Sequence, residues 1–336
     1  MGWARGQRNG ADGIELDEST QRPGLAGALE VRAPAAGERE GALSLLLTGR
    51  ASGGKAAVRR FDDYLASQGL ADAAVIGAWE AGRLVSVATG VMSPGRAAMV
   101  FVSRPRALGG DAAGAAAVVA LCEVLEAGGV RLAQALLDVG QAAERRVLAA
   151  GGMSELATLH YLSRVLGEAD RGEAAARRAL TERGLRLEAW SEAAAGRFAA
   201  AVEASYEATL DCPALRGVRA IEDVMAGHRA AGRFDPSRWV LASDEEGEAA
   251  GVMLLTELPT EGSGELVYLG VPPRWRGRGV GSGLVRLGVS MMAEAGCGRL
   301  LLAVDRANGP ALELYRGQGF SMAGRKHAWM RVLGDG

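Results

Sequence analysis

Residues Leu266–Leu284 read LVYLGVPPRWRGRGVGSGL. An apolar run ends at Gly270-Val271, Pro272 and Pro273 break it, and a basic, glycine-rich turn opens an apolar pattern of helical period. The turn holds Arg276, Gly277, Arg278, Gly279, Val280 and Gly281, an R-x-x-G-x-G order. Glycine tolerates left-handed torsions and lets backbone approach a ligand closely. A helix that starts there presents its first amides unpaired, with partial positive charge. That geometry suits a phosphate or pyrophosphate, and Arg274, Arg276 and Arg278 add full charges beside it. The stretch predicts strand, anion-binding loop and helix; a plain basic surface turn is the competing reading.

Context narrows the choice. No Gly-Lys-Ser/Thr follows, so this is not a Walker loop. A dinucleotide fingerprint needs its glycines after the first strand of a βαβ unit and an acid about 20 residues later. Asp305 stands at about that distance, which keeps a dinucleotide-binding oxidoreductase as a weaker alternative.

The V-x-P-x-x-R-G-x-G-x-G order from Val271 to Gly281, between strand and helix, resembles the acetyl-CoA loop of the GNAT superfamily of N-acetyltransferases. Downstream, Asn308, Ala311, Leu314-Tyr315 and Gly319-Phe320 match that family's next motif, N-x-x-A-x-x-L-Y-x-x-x-G-F. The resemblance spans roughly residues 185–333.

It implies acetyl-CoA as cosubstrate, no metal, and direct acyl transfer to a primary amine. Carried over, the diphosphate site is Arg276, Gly277, Arg278, Gly279, Val280, Gly281 and Ser282. The strand before the loop would splay from its neighbour and pair with the pantetheine arm through Leu269 and Val271, with Gly270 between them. Tyr315 would protonate the leaving thiolate, since a tyrosine titrating near pH 10 carries its proton at neutrality. Glu265 would contact substrate and accept the amine proton. Asn308 corresponds to the asparagine near the CoA arm, and is equally a good helix cap before Pro310. Asp211 is a further substrate-contact candidate that also reads as the end of a helix. His228 reads as a surface histidine near the acceptor pocket, His327 as structural, and Cys212 has no base at a readable spacing.

The bulk numbers exclude other classes. With 336 residues and half of them apolar, the chain is long enough for two cored domains. A net charge of −2 implies no general nucleic-acid affinity. Cys122, Cys212 and Cys297 make neither a metal-ligand spacing nor a disulfide framework. No apolar run approaches the roughly 20 residues of a membrane span, and the first residues lack the apolar block of a signal peptide. The expectation is a cytoplasmic protein, monomer or homodimer, taking a small-molecule or peptide amine, with no nucleic-acid or membrane partner.

Along the chain, residues 1–26 are polar and aperiodic and read as a disordered tail. Strand patterns fall near 28–31, 74–79, 84–89, 99–102 and 132–137, and helical ones at 38–48, 58–68, 115–126 and 142–150. The charged helical segment 171–183 marks a junction. A second series follows: strands at 185–190, 239–242, 250–255, 266–271, 299–304 and 320–332, helices at 193–209, 221–232, 281–295 and 310–318.

The two series repeat. Asp305 lies 167 positions after Asp138, and at that offset Phe101 falls on Tyr268, Gly114 on Gly281 and Gly152-Met153 on Gly319-Phe320. This predicts an α/β (α+β) chain of two tandem GNAT-like domains, at 27–170 and 184–336, each a mixed, mostly antiparallel sheet flanked by helices. The copies differ where the chemistry lies: Gly109, Asp111 and Ala112 replace Arg276, Arg278 and Gly279, and Leu148 replaces Tyr315. An aspartate in an anion cradle costs on the order of 1 kcal/mol at about 4 Å even when screened. The first copy therefore reads as degenerate and the second as catalytic. A non-catalytic acyl-CoA-binding protein is the alternative.

Overall fold

The computed structural model describes residues 28–67, 70, 73–105, 110–258 and 262–334. The expected tail and Gly109 lie outside the described residues. The first half runs β1 (Glu30–Arg32), α1 (Arg39–Thr48), α2 (Lys55–Ser67), β2 (Ala74–Glu80), β3 (Arg83–Ser93), β4 (Ala97–Val102), α3 (Gly110–Ala127), β5 (Leu132–Asp138), α4 (Ala142–Ala150) and β6 (Ser154–Val165). After α5 (Glu173–Thr181) come β7 (Arg186–Ala189), α6 (Ala195–Ser205), α7 (Ile221–Arg229), β8 (Trp239–Ser243), β9 (Ala249–Leu258), β10 (Ser263–Gly270), α8 (Val280–Glu294), β11 (Arg299–Asp305), α9 (Gly309–Gly317) and β12 (Ser321–Val332).

The 167-residue offset holds at element level: β5, α4 and β6 map without shift onto β11, α9 and β12. The helices and strands fall where the patterns place them, with one omission. The strand β6, SELATLHYLSRV, carries too few buried positions to show an alternating pattern. The offset onto 321–332 was the signal that could have found it.

The strands form one continuous sheet in the order β1-β2-β3-β4-β5-β12-β6-β11-β10-β9-β8-β7. The order is palindromic about the β12–β6 pair, because each half lends its last strand to the other. Strand β12 pairs antiparallel with β5 from Val332↔Leu132 to Lys326↔Asp138, and β6 pairs with β11 from Val165↔Arg299 to Leu159↔Asp305. The two sheets expected as separate are thus fused, since each would otherwise end on an unpaired edge.

Two arginines at equivalent positions fasten the exchange. Arg164 on β6 donates to the carbonyl of Gln318 at the end of α9 and pairs with Asp170. Arg331 on β12 donates to the carbonyl of Gly151 at the end of α4, at 3.1 Å. Each guanidinium meets a helix C-terminus, where partial negative charge and unpaired carbonyls collect.

Helix α8 is buried on nearly all sides, between the sheet and α5. Gly283 makes this possible, because a Cβ there would lie 2.5 Å from Leu180 Cδ2 on α5. Glu294 returns from the far end of α8 to accept from the amides of Gly172 and Glu173, capping α5 at 3.0 and 2.7 Å.

Truncating the chain before Ser321 should unfold both halves, because it strips β5 and β6 of a shared neighbour. Limited proteolysis of the truncated protein tests this; a surviving compact core spanning β1–α4 would contradict the coupling.

Candidate active site

Strands β10 and β11 run parallel only at Ser263↔Arg299, Gly264↔Leu300 and Glu265↔Leu301. Beyond Glu265, β10 pairs on with β9 and β11 with β6. A bulge between Leu266 and Tyr268 accompanies the divergence. Leu266 to Gly270 therefore offer a backbone edge with no strand partner on the β11 side among the described residues, which an amide-bearing arm can join as an added strand. Glu265 sits at the apex of the opening.

The opening leads into the loop. Gly277 and Gly279 take positive φ, 72° and 75°, and Gly279 caps α8. The first intrahelical bond runs from Gly283 N to Gly279 O, so the amides of Val280, Gly281 and Ser282 precede the ladder. The Ser282 hydroxyl accepts from Gln318 Nε2 at 2.9 Å. Gly281 gives room to Leu314, 3.1 Å from where its Cβ would stand.

The arginines divide their work. Arg274 pairs with Asp244 and Glu248 at 3.5 and 3.4 Å. Arg276 donates to four carbonyls, those of Val271, Ala208, Ser205 and Glu207, at 2.7–3.0 Å. Its guanidinium is a staple holding the end of α6 to the loop rather than the free phosphate partner expected from the sequence. Arg278 lies over the Trp275 ring, 5.3 Å from its centroid, and has no carboxylate partner among the described residues. Trp275 Nε1 is buried without a partner. Arg183, 95 residues away in sequence, donates to the carbonyl of Arg278, and no local pattern marks it.

Gly270 makes room for packing as well: a Cβ there would lie 2.8 Å from Ser205 Cβ and from Tyr268 Cε1, so the glycine admits α6. Val271 gives its carbonyl to Arg276. Leu269 pairs with Met253 and packs on the core under α8.

The segment between α6 and α7 crosses the end of β11. Asp211 Oδ1 accepts from Asp305 N at 2.8 Å, and Asp305 accepts from Cys212 N at 3.2 Å and Ala307 N at 2.8 Å. The Asp211 carboxyl is turned inward although the residue keeps an exposed edge, and desolvation raises its pKa against the lowering effect of its hydrogen bond from the Asp305 amide. Asp211 thus anchors a loop rather than capping a helix. The Cys212 thiol is pushed up to about 12 by burial and by the two aspartates, which keeps it protonated. Asn308 caps α9, accepting from Ala311 N at 3.3 Å.

Tyr315 is buried, with its ring centroid 5.8 Å from that of Phe320. Burial first, and then Asp211, raise its pKa. On the opposite face Tyr268 exchanges a hydrogen bond with Ser205 at 2.6 Å and stacks at 5.3 Å against His228. His228 is only half-buried as a residue, yet its Nε2 is sealed from solvent without a partner. Burial and Arg219 push it down to about 4, so it is not the exposed histidine expected from the sequence. Helix α7 is braced by the first half, where Arg219 Nη1 donates to Gly95 O at 2.9 Å. Tyr268 was not singled out as part of the site from the sequence, and Asp305 was read only as the acid of the weaker dinucleotide-binding alternative.

Comparison with known proteins places this geometry. Residues 205–320 match the model of the acetyltransferase (GNAT) family. The mycothiol acetyltransferase of Clavibacter sepedonicus is 40% identical over 87 residues, 26% of this chain and 28% of that protein. That of Arthrobacter sp. (strain FB24) is 33% identical over 101 residues, 29% of this chain and 31% of that protein. The match thus spans less than a third of these relatives' length. Over 92% of this chain and 96% of the other, the fold is that of a GCN5-related N-acetyltransferase from Sphaerobacter thermophilus, with a TM-score of 0.55 and 19% identity.

Two outcomes follow for stability. Gly270→Ala should destabilise the fold by about 1–3 kcal/mol in urea unfolding, because Ser205 and Tyr268 occupy the space. Acidification from the ordinary histidine range toward pH 4 should cost stability through His228, since the unfolded chain binds a proton that the folded one refuses. His228→Phe should flatten that part of the stability profile; an unchanged slope between pH 7 and 4 would count against a sealed imidazole.

Proposed function

We propose that the chain is an acetyl-CoA-dependent N-acetyltransferase whose chemistry lies in its second half, where residues 205–320 match the model of the acetyltransferase (GNAT) family. The observation that carries this reading is the divergence of β10 from β11 after Glu265, leading into a positive-φ glycine loop and the open end of α8. The residues present suit the cosubstrate: three amides ahead of the helical ladder, Arg278 without a carboxylate partner among the described residues, and the orphaned Trp275 indole all favour a diphosphate.

Acetyl-CoA supplies an acyl group activated as a thioester. Gly277 to Ser282 hold the diphosphate through backbone amides, and the Leu269–Val271 edge aligns the arm. Glu265, at the apex, accepts the proton of the incoming amine, and Asp211 lines the same opening. Tyr315 gives its proton to the leaving sulfur; its raised pKa keeps that proton in place at neutral pH. The first half lacks these parts, since Asp111 stands at the position of Arg278 and is paired with Arg146 at 2.8 Å. It serves as a brace, and the junction at 171–183 separates the two roles.

A primary amine is the acceptor class, and the relatives' name puts mycothiol-related amines first for trial. The test is a screen of amines with acetyl-CoA, following free thiol. Binding of acetyl-CoA without thiol release for any amine would favour a non-catalytic acyl-CoA-binding role. Tyr315→Phe should lower kcat by about a hundredfold while leaving acetyl-CoA affinity nearly unchanged; undiminished turnover would remove Tyr315 from the reaction.

A further inference from the structure

A second polar cluster lies at the middle of the sheet, on the face covered by α3, α4, α8 and α9. Residues opposed across a sheet share a face. Val304, His160 and Arg325 form one such row across β11, β6 and β12. In the adjacent row the amide of Arg306 donates to Thr158 O at 2.8 Å, Thr158 opposes His327, and His327 opposes Leu137. Val304 and Leu137 belong to the cores beneath the helices, which identifies the face. Arg145 reaches in from α4, its Nη1 3.5 Å from His327 Nε2, and α9 contributes Arg316.

The repeat makes the contrast sharp. His160 and His327 are equivalent under the 167-residue offset. His327 is fully engaged, with Glu155 at 2.8 Å, Thr158 at 3.4 Å and Arg145 at 3.5 Å. The positions equivalent to those partners around His160 are Met322, Arg325 and Leu312. His160 is 9% exposed, and both its ring nitrogens are buried without a partner among the described residues. Arg145 Nε is a further buried donor without one. Arg306, Arg316 and Arg325 are exposed and make no ion pair among the described residues. Burial, then Arg325, Arg306 and Arg316, lower the pKa of His160, with Asp305 acting in the opposite direction.

Orphaned buried donors and clustered like charges are both costly. A ligand that accepts several hydrogen bonds and carries negative charge relieves both. We propose that His160, Arg306, Arg316, Arg325 and Arg145 form a binding site for a phosphate-class oxyanion at the seam between the two halves, distinct from the glycine loop. Guanidinium groups suit a tetrahedral oxyanion in hydrogen-bonding geometry as well as charge. The oxyanion is either free in solution or a phosphate of the acyl cosubstrate.

Titration calorimetry of the full chain with inorganic pyrophosphate tests this, first alone and then with acetyl-CoA in saturation. The expected result is that one pyrophosphate per chain still binds with acetyl-CoA in saturation, about tenfold more weakly for each of Arg316→Gln and Arg325→Gln. Unchanged melting temperatures of the two variants would establish that the loss is local. Absence of binding, or binding that neither substitution weakens, overturns the site. Loss of all pyrophosphate binding in saturating acetyl-CoA overturns it as a separate site and assigns these arginines to the cosubstrate. The pyrophosphate-only arm reads out even if the chain binds no acetyl-CoA, so the outcome is independent of the transferase reading.

Discussion

Strands β6 and β12 lie side by side at the centre of the sheet, and each belongs by sequence to one half and by its outer ladder to the other. Unpaired strand edges are the standing liability of sheet proteins. Here β5 and β11 would each end on such an edge, and each is covered by the partner half's last strand. Arg164 and Arg331 lock the same exchange by meeting the helix ends of the opposite half. The two halves therefore share one hydrogen-bonded sheet across this seam.

Around that opening the basic residues separate into two kinds. Arg276 and Arg183 serve the backbone: one gathers carbonyls at the end of α6, the other fastens the loop carbonyl of Arg278. Both satisfy groups that a helix end or a tight loop leaves unpaired. Among the described residues Arg278 has no carboxylate partner, and the buried indole nitrogen of Trp275 has no hydrogen-bond partner. The Asp211–Asp305 contact performs a similar backbone task on the other side, drawing the α6–α7 segment across the end of β11.

The two halves keep one frame and differ in what they hang on it. Where the second half has Arg278, the first has Asp111 paired with Arg146. Where the first half surrounds His327 with Glu155, Thr158 and Arg145, the second leaves His160 bare. Packing constrains volume and polarity of the shared core, and both halves satisfy it with buried strands under α3 and α8.

Much of this was legible in the order of residues. Local pattern gave nearly every helix and strand, because apolar period and glycine or proline stops act over a few residues. The 167-residue repeat, the glycine loop before α8 and the cap at Asn308 follow from the same short-range physics. The exchange of β6 and β12, the fate of Arg276, the crowding at Gly270 and the sealed His228 do not. They depend on which distant groups arrive at one point, such as Ser205 against Gly270 or Gln318 against Arg164, and hydrogen bonding and steric exclusion between such groups are settled only when the chain has closed.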